Sequence, residues 1–328
     1  MADNQQPIII TGASGFVGAN LLRRFAAKGR RVIGLEGPGG ADWRTRGVDT
    51  EIVRLDLSKE ADVKAFIADT RPLAILNCAA YGAYPSQTDS SRIYRVNFDG
   101  VRYMLEALRG CTGFRAFVHA GSSSEYGLNC TAPSESSATS PDSDYAVSKV
   151  AATALLQYYA HKHQMPCWGL RLYSVYGPFE DMSRLIPRLL RKAQDKDLPP
   201  LVNPSISRDF VYVDDVVDAF ESIVDGAERI RAGEVYNIGA GRRVTLEDLV
   251  GVVRDTFDIA KAPDWGSMPN RHWDHRDWYS NPDKARRELG WSARTSLTEG
   301  LRRTMRWMEA NAELVREGER HSVTAVKP

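Results

Sequence analysis

The sequence predicts an α/β protein: an open, doubly wound parallel sheet with a smaller, partly interleaved C-terminal α/β domain. Three observations carry this. Short apolar runs of strand length alternate with amphipathic stretches of helix length through the first half. Glycines stand at the first strand-to-helix turn, where the chain must reverse tightly. After about residue 175 the alternation breaks up, and prolines at 178, 187, 199, 200 and 204 punctuate shorter elements.

In chain order, residues 7–11 (PIIIT) read as a buried strand and 14–28 as a helix that Gly29 ends. Strands follow at 31–35 and 51–55, then a helix at 58–69. The series continues with strands at 73–77, 114–119 and 167–172, separated by helices at 93–109 and 144–163. Parallel neighbours need crossovers of that length, so helices should cover both faces of the sheet. Further on, 209–213 and 235–238 read as strands, 263–282 as a loop rich in Trp, Asp, Arg and Pro, and 283–289 and 296–308 as helices. The first domain is therefore placed at 1–175, with sheet additions from about 206–240. The second is mainly 176–311, and the polar tail 312–328 is expected to fray.

Composition narrows the partners. Of 328 residues, 43% are hydrophobic and 26% charged, which suits a globular domain and not a disordered or membrane-embedded chain. Forty-three basic against 42 acidic residues give a net charge of +1, so neither nucleic acid nor a membrane surface is an expected partner. Cys78, Cys111, Cys130 and Cys167 form no CxxC pair and read as reduced thiols. The start, MADNQQPIII, lacks the basic and apolar segments of a secretory signal, so a cytoplasmic location is expected. His161, His163, His272 and His275 lack carboxylate or cysteine company at ligand spacing, and no metal site is expected.

Residues 11–18 read Thr-Gly-Ala-Ser-Gly-Phe-Val-Gly, after a strand and into a helix. Gly12, Gly15 and Gly18 let a pyrophosphate approach the helix N-terminus, whose free N–H groups and dipole attract anions, with Phe16 and Val17 in the same turn. Glu36, at the end of the second strand, is placed to accept hydrogen bonds from an adenosine ribose and to repel a 2′-phosphate. This favours NAD, while Arg44 and Arg46 close by leave NADP possible. Asp56 and Leu57, after the third strand, are placed to meet adenine.

Tyr145 and Lys149 stand four apart at the start of a helix, which puts them on one face. A neighbouring ammonium and a positive nicotinamide both favour a phenolate, so Tyr145 could serve as a base toward a sugar or alcohol hydroxyl. Upstream, His119-Ala-Gly-Ser-Ser-Ser-Glu-Tyr-Gly127 ends a strand in a hydroxyl cluster that could donate to the same oxygen.

With these pieces in this order, the chain resembles the extended short-chain dehydrogenase/reductase superfamily, in its NAD-dependent nucleotide-sugar epimerase/dehydratase branch. The resemblance runs from Thr11 to about Trp307 through TGASGFVG, Asn77-Cys78-Ala79-Ala80, VNFDG, SSSEYG, YAVSK, RLYSVYGP, RDFVYVDD, YNIGAG and KARRELGW. It implies a Rossmann-type first domain, Ser122 as hydroxyl donor, Tyr145 as base and Lys149 as its partner. It further implies Ala80, Tyr81, Asn97 and Val175 near the cofactor, and Tyr84, Ser123, Ser124 and Ser174 on the substrate side. Arg208 and Arg271 match the family's pyrophosphate clamp. The substrate implied is a nucleotide-diphosphate sugar, and pairing through two helices, with Val101, Leu105 and Leu108 as core or seam, implies a homodimer.

Two departures sharpen the expectation. Family dehydratases place acids directly after the catalytic hydroxyl, where this chain has Ser123 and Ser124, and its acid, Glu125, comes one place later. Ser174 stands where the family has asparagine. Dehydration and decarboxylation recede, which leaves an NAD-dependent 4-epimerase, with an NAD(P)H-dependent 4-keto-6-deoxy-sugar reductase as the alternative. A dinucleotide-sensing binding module without catalysis is the non-enzyme alternative. Trp265, Trp273 and Trp278 are expected to pack their loop or to stack on a nucleotide base.

Overall fold

The computed structural model describes residues 6–84, 86–268 and 277–324. Strand β1 (Ile8–Thr11) is buried along its whole length, as apolar, β-branched segments are when helices cover both faces of a sheet. Around it lie β2 (Val32–Glu36), β3 (Glu51–Arg54), β4 (Ala74–Asn77), β5 (Ala116–Ser122), β6 (Cys167–Leu172) and β10 (Val235–Ile238). They form one sheet of seven strands, ordered β10-β6-β5-β4-β1-β2-β3, with every pairing parallel. The order turns back between β1 and β4, so chain connections leave in opposite directions there and a crevice opens beyond the strands' carboxyl ends.

Helices α1 (Phe16–Ala27), α2 (Glu60–Thr70), α3 (Ser90–Tyr94), α4 (Gly100–Leu108) and α5 (Asp144–His163) cross between the strands. Val101, Leu105 and Leu108 of α4 are buried against α2, α5 and the sheet, so the stripe that might have formed a dimer seam is core. Helix α5 begins at Ser143, whose hydroxyl accepts the Ala146 N–H. The expected helix over 93–109 starts earlier and is interrupted by a π-helical turn at Arg95–Asp99, which carries Asn97.

Beyond β7 (Ser174–Tyr176) the chain builds a second core around α6 (Leu185–Ala193), α8 (Leu246–Phe257) and α10 (Leu297–Ala310), with Leu189, Leu249, Val253 and Leu301 fully buried. Strand β7 pairs in parallel with β9 (Phe210–Tyr212), and β8 (Ser207–Arg208) pairs antiparallel with β11 (Val244–Thr245). Helix α7 (Val213–Gly226) returns against the first sheet, where α9 (Asp283–Leu289) meets β10. Sequence reading missed three of these helices. Pro187 sits in the first turn of α6, where a missing N–H costs nothing. Thr245 and Asp248 close a capping box on α8.

The tail also differs from expectation. Ala312–Thr324 is a helix, α11, with Val315 in the second core. Glu317 on it accepts two hydrogen bonds from Arg46, at 2.8 and 3.0 Å, and the Ser322 hydroxyl donates to Asp181 at 2.9 Å. Polar spacing disguised a helix whose partners lie far away in sequence.

Candidate active site

The crevice is lined from the strand ends upward. Directly after β1, Gly12 has φ +67°, and a Cβ on it would lie 2.8 Å from the Ala79 amide nitrogen, so only glycine fits. The turn delivers Gly15 as the N-cap of α1, where no side chain caps the helix. Its first N–H groups, around Phe16, Val17 and Gly18, are therefore left for an anion.

At the end of β2, Glu36 is 5% exposed, and its buried Oε2 has no hydrogen-bond partner in the protein. The nearest cation, Arg54, stands 3.8 Å away. A buried acceptor without a donor is what a ribose hydroxyl satisfies. The two arginines that left NADP open are committed elsewhere. Arg44 donates to the carbonyls of Phe179 (2.7 Å) and Ser14 (3.2 Å), and Arg46 pairs with Glu317 and Asp42. An orphaned carboxylate oxygen, an uncapped helix and a glycine turn together fit NAD. Further along, the Asp56 carboxylate accepts from the Ser58 N–H and hydroxyl in a turn before α2, and the Leu57 side chain is buried.

The π turn aims Asn97 at the segment after β4. Its Oδ1 accepts the Tyr81 N–H and its Nδ2 donates to the Tyr81 carbonyl, both at 2.8 Å, while Nδ2 also donates to the Ser148 hydroxyl on α5. Ala80 and Tyr81 are thus tied to the helix that carries Tyr145 and Lys149, and the Arg92 guanidinium lies over the Tyr81 ring at 4.5 Å.

Strand β5 ends at Ser122, which caps a short 3-10 turn at Ser123–Glu125. The Ser122 hydroxyl accepts the Ser124 N–H at 3.1 Å, lies 2.6 Å from the Ser124 hydroxyl, and is close enough to the Tyr145 phenol to favour its phenolate. One turn along α5, Lys149 Nζ donates to the Ala120 carbonyl at 2.9 Å and sits 5.7 Å from the centre of the Tyr145 ring. The structure thus brings Ser122, Tyr145 and Lys149 together. Burial pushes the Tyr145 phenol up to about 12; the nearby Ser122 hydroxyl opposes the rise and the Glu125 charge adds to it. Burial pushes Lys149 down to about 8, against the pull of Glu125, so at neutral pH it remains mainly an ammonium.

On the opposite wall, Ser174 donates its N–H to the Asp209 carbonyl at 2.9 Å, and Val175 pairs with Val211 in the β7–β9 ribbon. Arg184 stacks on Tyr84 at 4.6 Å, donates to the Ala83 carbonyl and lies close enough to Tyr145 to favour its phenolate. Sequence reading missed Arg184, since nothing local ties it to residue 145. Trp278 donates its indole N–H to the Ser123 hydroxyl at 3.1 Å, and Arg208 lies over its ring at 5.4 Å. Trp278 therefore belongs to the site, whereas Trp265 packs against the second core. Arg271, His272, Trp273 and His275 lie outside the described residues. Among the described residues no group of three or more His, Cys, Asp or Glu is placed to hold a metal ion, and no helix is long and apolar enough to cross a membrane.

The family model described as "NAD dependent epimerase/dehydratase family" matches residues 8–239. A UDP-glucose 4-epimerase of Mycolicibacterium smegmatis is 28% identical over 93% of this chain and 99% of its own length. UDP-glucuronate 4-epimerase 3 of Arabidopsis thaliana is 28% identical over 92% of this chain and 76% of its own. Among solved structures, an epimerase of Methanothermobacter thermautotrophicus superposes with a TM-score of 0.85 at 28% identity, covering 96% of both chains.

Proposed function

The chain belongs to the NAD dependent epimerase/dehydratase family, and we propose that within it the protein is a nucleotide-sugar 4-epimerase. One observation carries the choice. Ser122, Tyr145 and Lys149 meet at the crevice, while the nearest acid, Glu125, is fully buried behind Ser122 and held by three donors. A dehydratase needs an acid facing the C6 hydroxyl, and Ser123 and Ser124 stand at those positions instead. The names of the M. smegmatis and A. thaliana relatives support chemistry at C4 of a UDP-sugar.

NAD, held by the glycine turn, the N-terminus of α1 and Glu36, would supply a reversible two-electron oxidant for C4 and a positive ring charge that favours the Tyr145 phenolate. Tyr145 Oη takes the proton of the C4 hydroxyl as the carbonyl forms, and returns it once the sugar presents its other face. The Ser122 hydroxyl donates to the same oxygen as charge develops there. The Lys149 ammonium, anchored on the Ala120 carbonyl, favours the phenolate through its charge. Ser174, Arg208, Trp278 and Arg184 would hold the nucleotide sugar across the crevice, with Arg271 as a further clamp residue.

The same reading assigns residues 1–175 mainly to the cofactor and 176–311 mainly to the substrate. It places the protein in the cytoplasm as a homodimer, with exposed Val147 and Tyr158 on α5 as the apolar part of the seam. The test is incubation with UDP-glucose and with UDP-glucuronate, reading the C4 epimer by proton NMR. An epimer should form from one of them, and Tyr145→Phe should lower its rate about 10²–10⁴-fold while dinucleotide binding persists. Consumption of NADPH on a 4-keto sugar, with no epimer from either nucleotide sugar, would overturn the reading in favour of the reductase.

A further inference from the structure

Glu125, directly behind Ser122, is 0% exposed. Its Oε1 accepts the Ser122 N–H at 2.9 Å, and its Oε2 accepts from Arg171 Nε at 2.8 Å and from the Thr153 hydroxyl at 3.0 Å. The carboxylate therefore joins the end of β5, strand β6 and helix α5. A Cβ on Gly121 would lie 2.6 Å from Oε1, so the strand lacks a side chain where the carboxylate passes. Arg171 is fixed in turn by the Tyr126 hydroxyl at 2.8 Å and the Glu135 carbonyl at 3.3 Å. The Glu135 carboxylate is occupied by the Asn237 N–H.

Among the described residues, the titratable groups that face Lys149 are Tyr145 on its own helix, Cys78 after β4, His119 on β5, and Glu125, with the Arg171 guanidinium behind Glu125. Burial pushes both the Cys78 thiol and the Tyr145 phenol up to about 12, and it holds His119 well below its ordinary value. At neutral pH, in the cofactor-free protein, these three are uncharged. Glu125 is the carboxylate beside Lys149: Thr153, which donates to it, stands one turn after Lys149 on the same face of α5, and its Oε1 passes Gly121, next to the Ala120 carbonyl that holds Lys149 Nζ.

We propose that Glu125 is a positioning residue, which fixes the Ser122 main chain through its N–H and serves as the buried counter-charge that keeps Lys149 an ammonium. The proposal rests on the assignment of Ser122, Tyr145 and Lys149 to proton transfer at C4. Arg171 is needed because an unpaired carboxylate at this depth would be too costly to keep ionised. Glu125 is thereby a support behind the catalytic hydroxyl and takes no proton from the sugar.

Titration of Lys149 gives a readout that needs no turnover. The lysine Cε resonances of ¹³C-labelled, cofactor-free protein are followed against pH, and Lys149 is assigned by its loss in Lys149→Met. In Glu125→Gln the Lys149 midpoint should fall below its starting value of about 8, because a favourable charge has gone while burial remains. If Glu125 only held the loop in place, its loss would admit water and the midpoint would rise toward the ordinary lysine value, which overturns the proposal. An unchanged midpoint overturns it too.

Glu125→Asp keeps the charge, so it should restore the Lys149 midpoint while kcat stays about tenfold down because Ser122 is loosened. Glu125→Gln/Arg171→Met removes both buried charges and supplies a folded variant if glutamine alone conflicts with the guanidinium; because a like charge is lost as well, its Lys149 midpoint should lie between those of Glu125→Gln and wild type. Failure of the 4-epimerase reading would appear as a wild-type protein that turns over no nucleotide sugar, with the lysine titrations unaffected.

Discussion

Lys149 is 2% exposed and still has to carry a positive charge, which couples the fold's stability to pH. Its folded value near 8 lies below the ordinary 10.5, so between those values the unfolded chain holds a proton that the folded one has released. Stability therefore rises with pH across that window, and below about pH 8 the burial cost is present in full. Cofactor-free Lys149→Met escapes this cost. Its stability advantage over wild type should be largest near pH 7 and shrink by about 3 kcal/mol as pH approaches 10.5. Urea unfolding of both proteins at several pH values checks this, and a constant gap would contradict it. The pairing of Tyr145 with Lys149 was legible in sequence because helical spacing alone puts them on one face. The role of Glu125 was not, since Thr153 and Arg171 reach it from distant elements. Trp278 was legible only as an aromatic in a loop, because its contact with Ser123 spans the two halves of the chain.

At the scale of elements, the strands of the first sheet were readable because burial on both faces leaves continuous apolar runs. Helices of the second core were harder to read. Proline at a first turn looks like a breaker, and Val213 reads as a strand residue until the acids and apolar positions of α7 are followed at helical period. The π turn at Arg95–Asp99 leaves no local signature that its residues could reveal, yet it sets the direction of Asn97. Helix α11 bridges the second core, through Val315, and the loop after β2, through Arg46 and Glu317. A Cβ on Gly318 would lie 3.2 Å from the Trp43 ring, so this helix also covers a fully buried indole. Deleting residues 312–328 should lower the thermal midpoint by roughly 4 °C, from lost apolar burial and one partly buried ion pair. Differential scanning calorimetry would show it, and an unchanged midpoint would mean that α11 contributes nothing to the packing.

For the molecule as a whole, the chain leaves the sheet at β6, builds β7–β9, and returns to lay β10 beside β6. The wall that carries Ser174 and Arg208 is thereby fixed against the wall that carries Ser122 and Tyr145. This arrangement suits a cycle in which the oxidised sugar stays enclosed until it is reduced again. The direct test uses a nucleotide sugar deuterated at C4, with the purified protein and no added reductant. If the hydride leaves C4 and returns within one enclosed cycle, deuterium remains at C4 of the epimer, with no net build-up of reduced nicotinamide in solution. Loss of the label to solvent, or release of one NADH per sugar converted, would contradict that cycle.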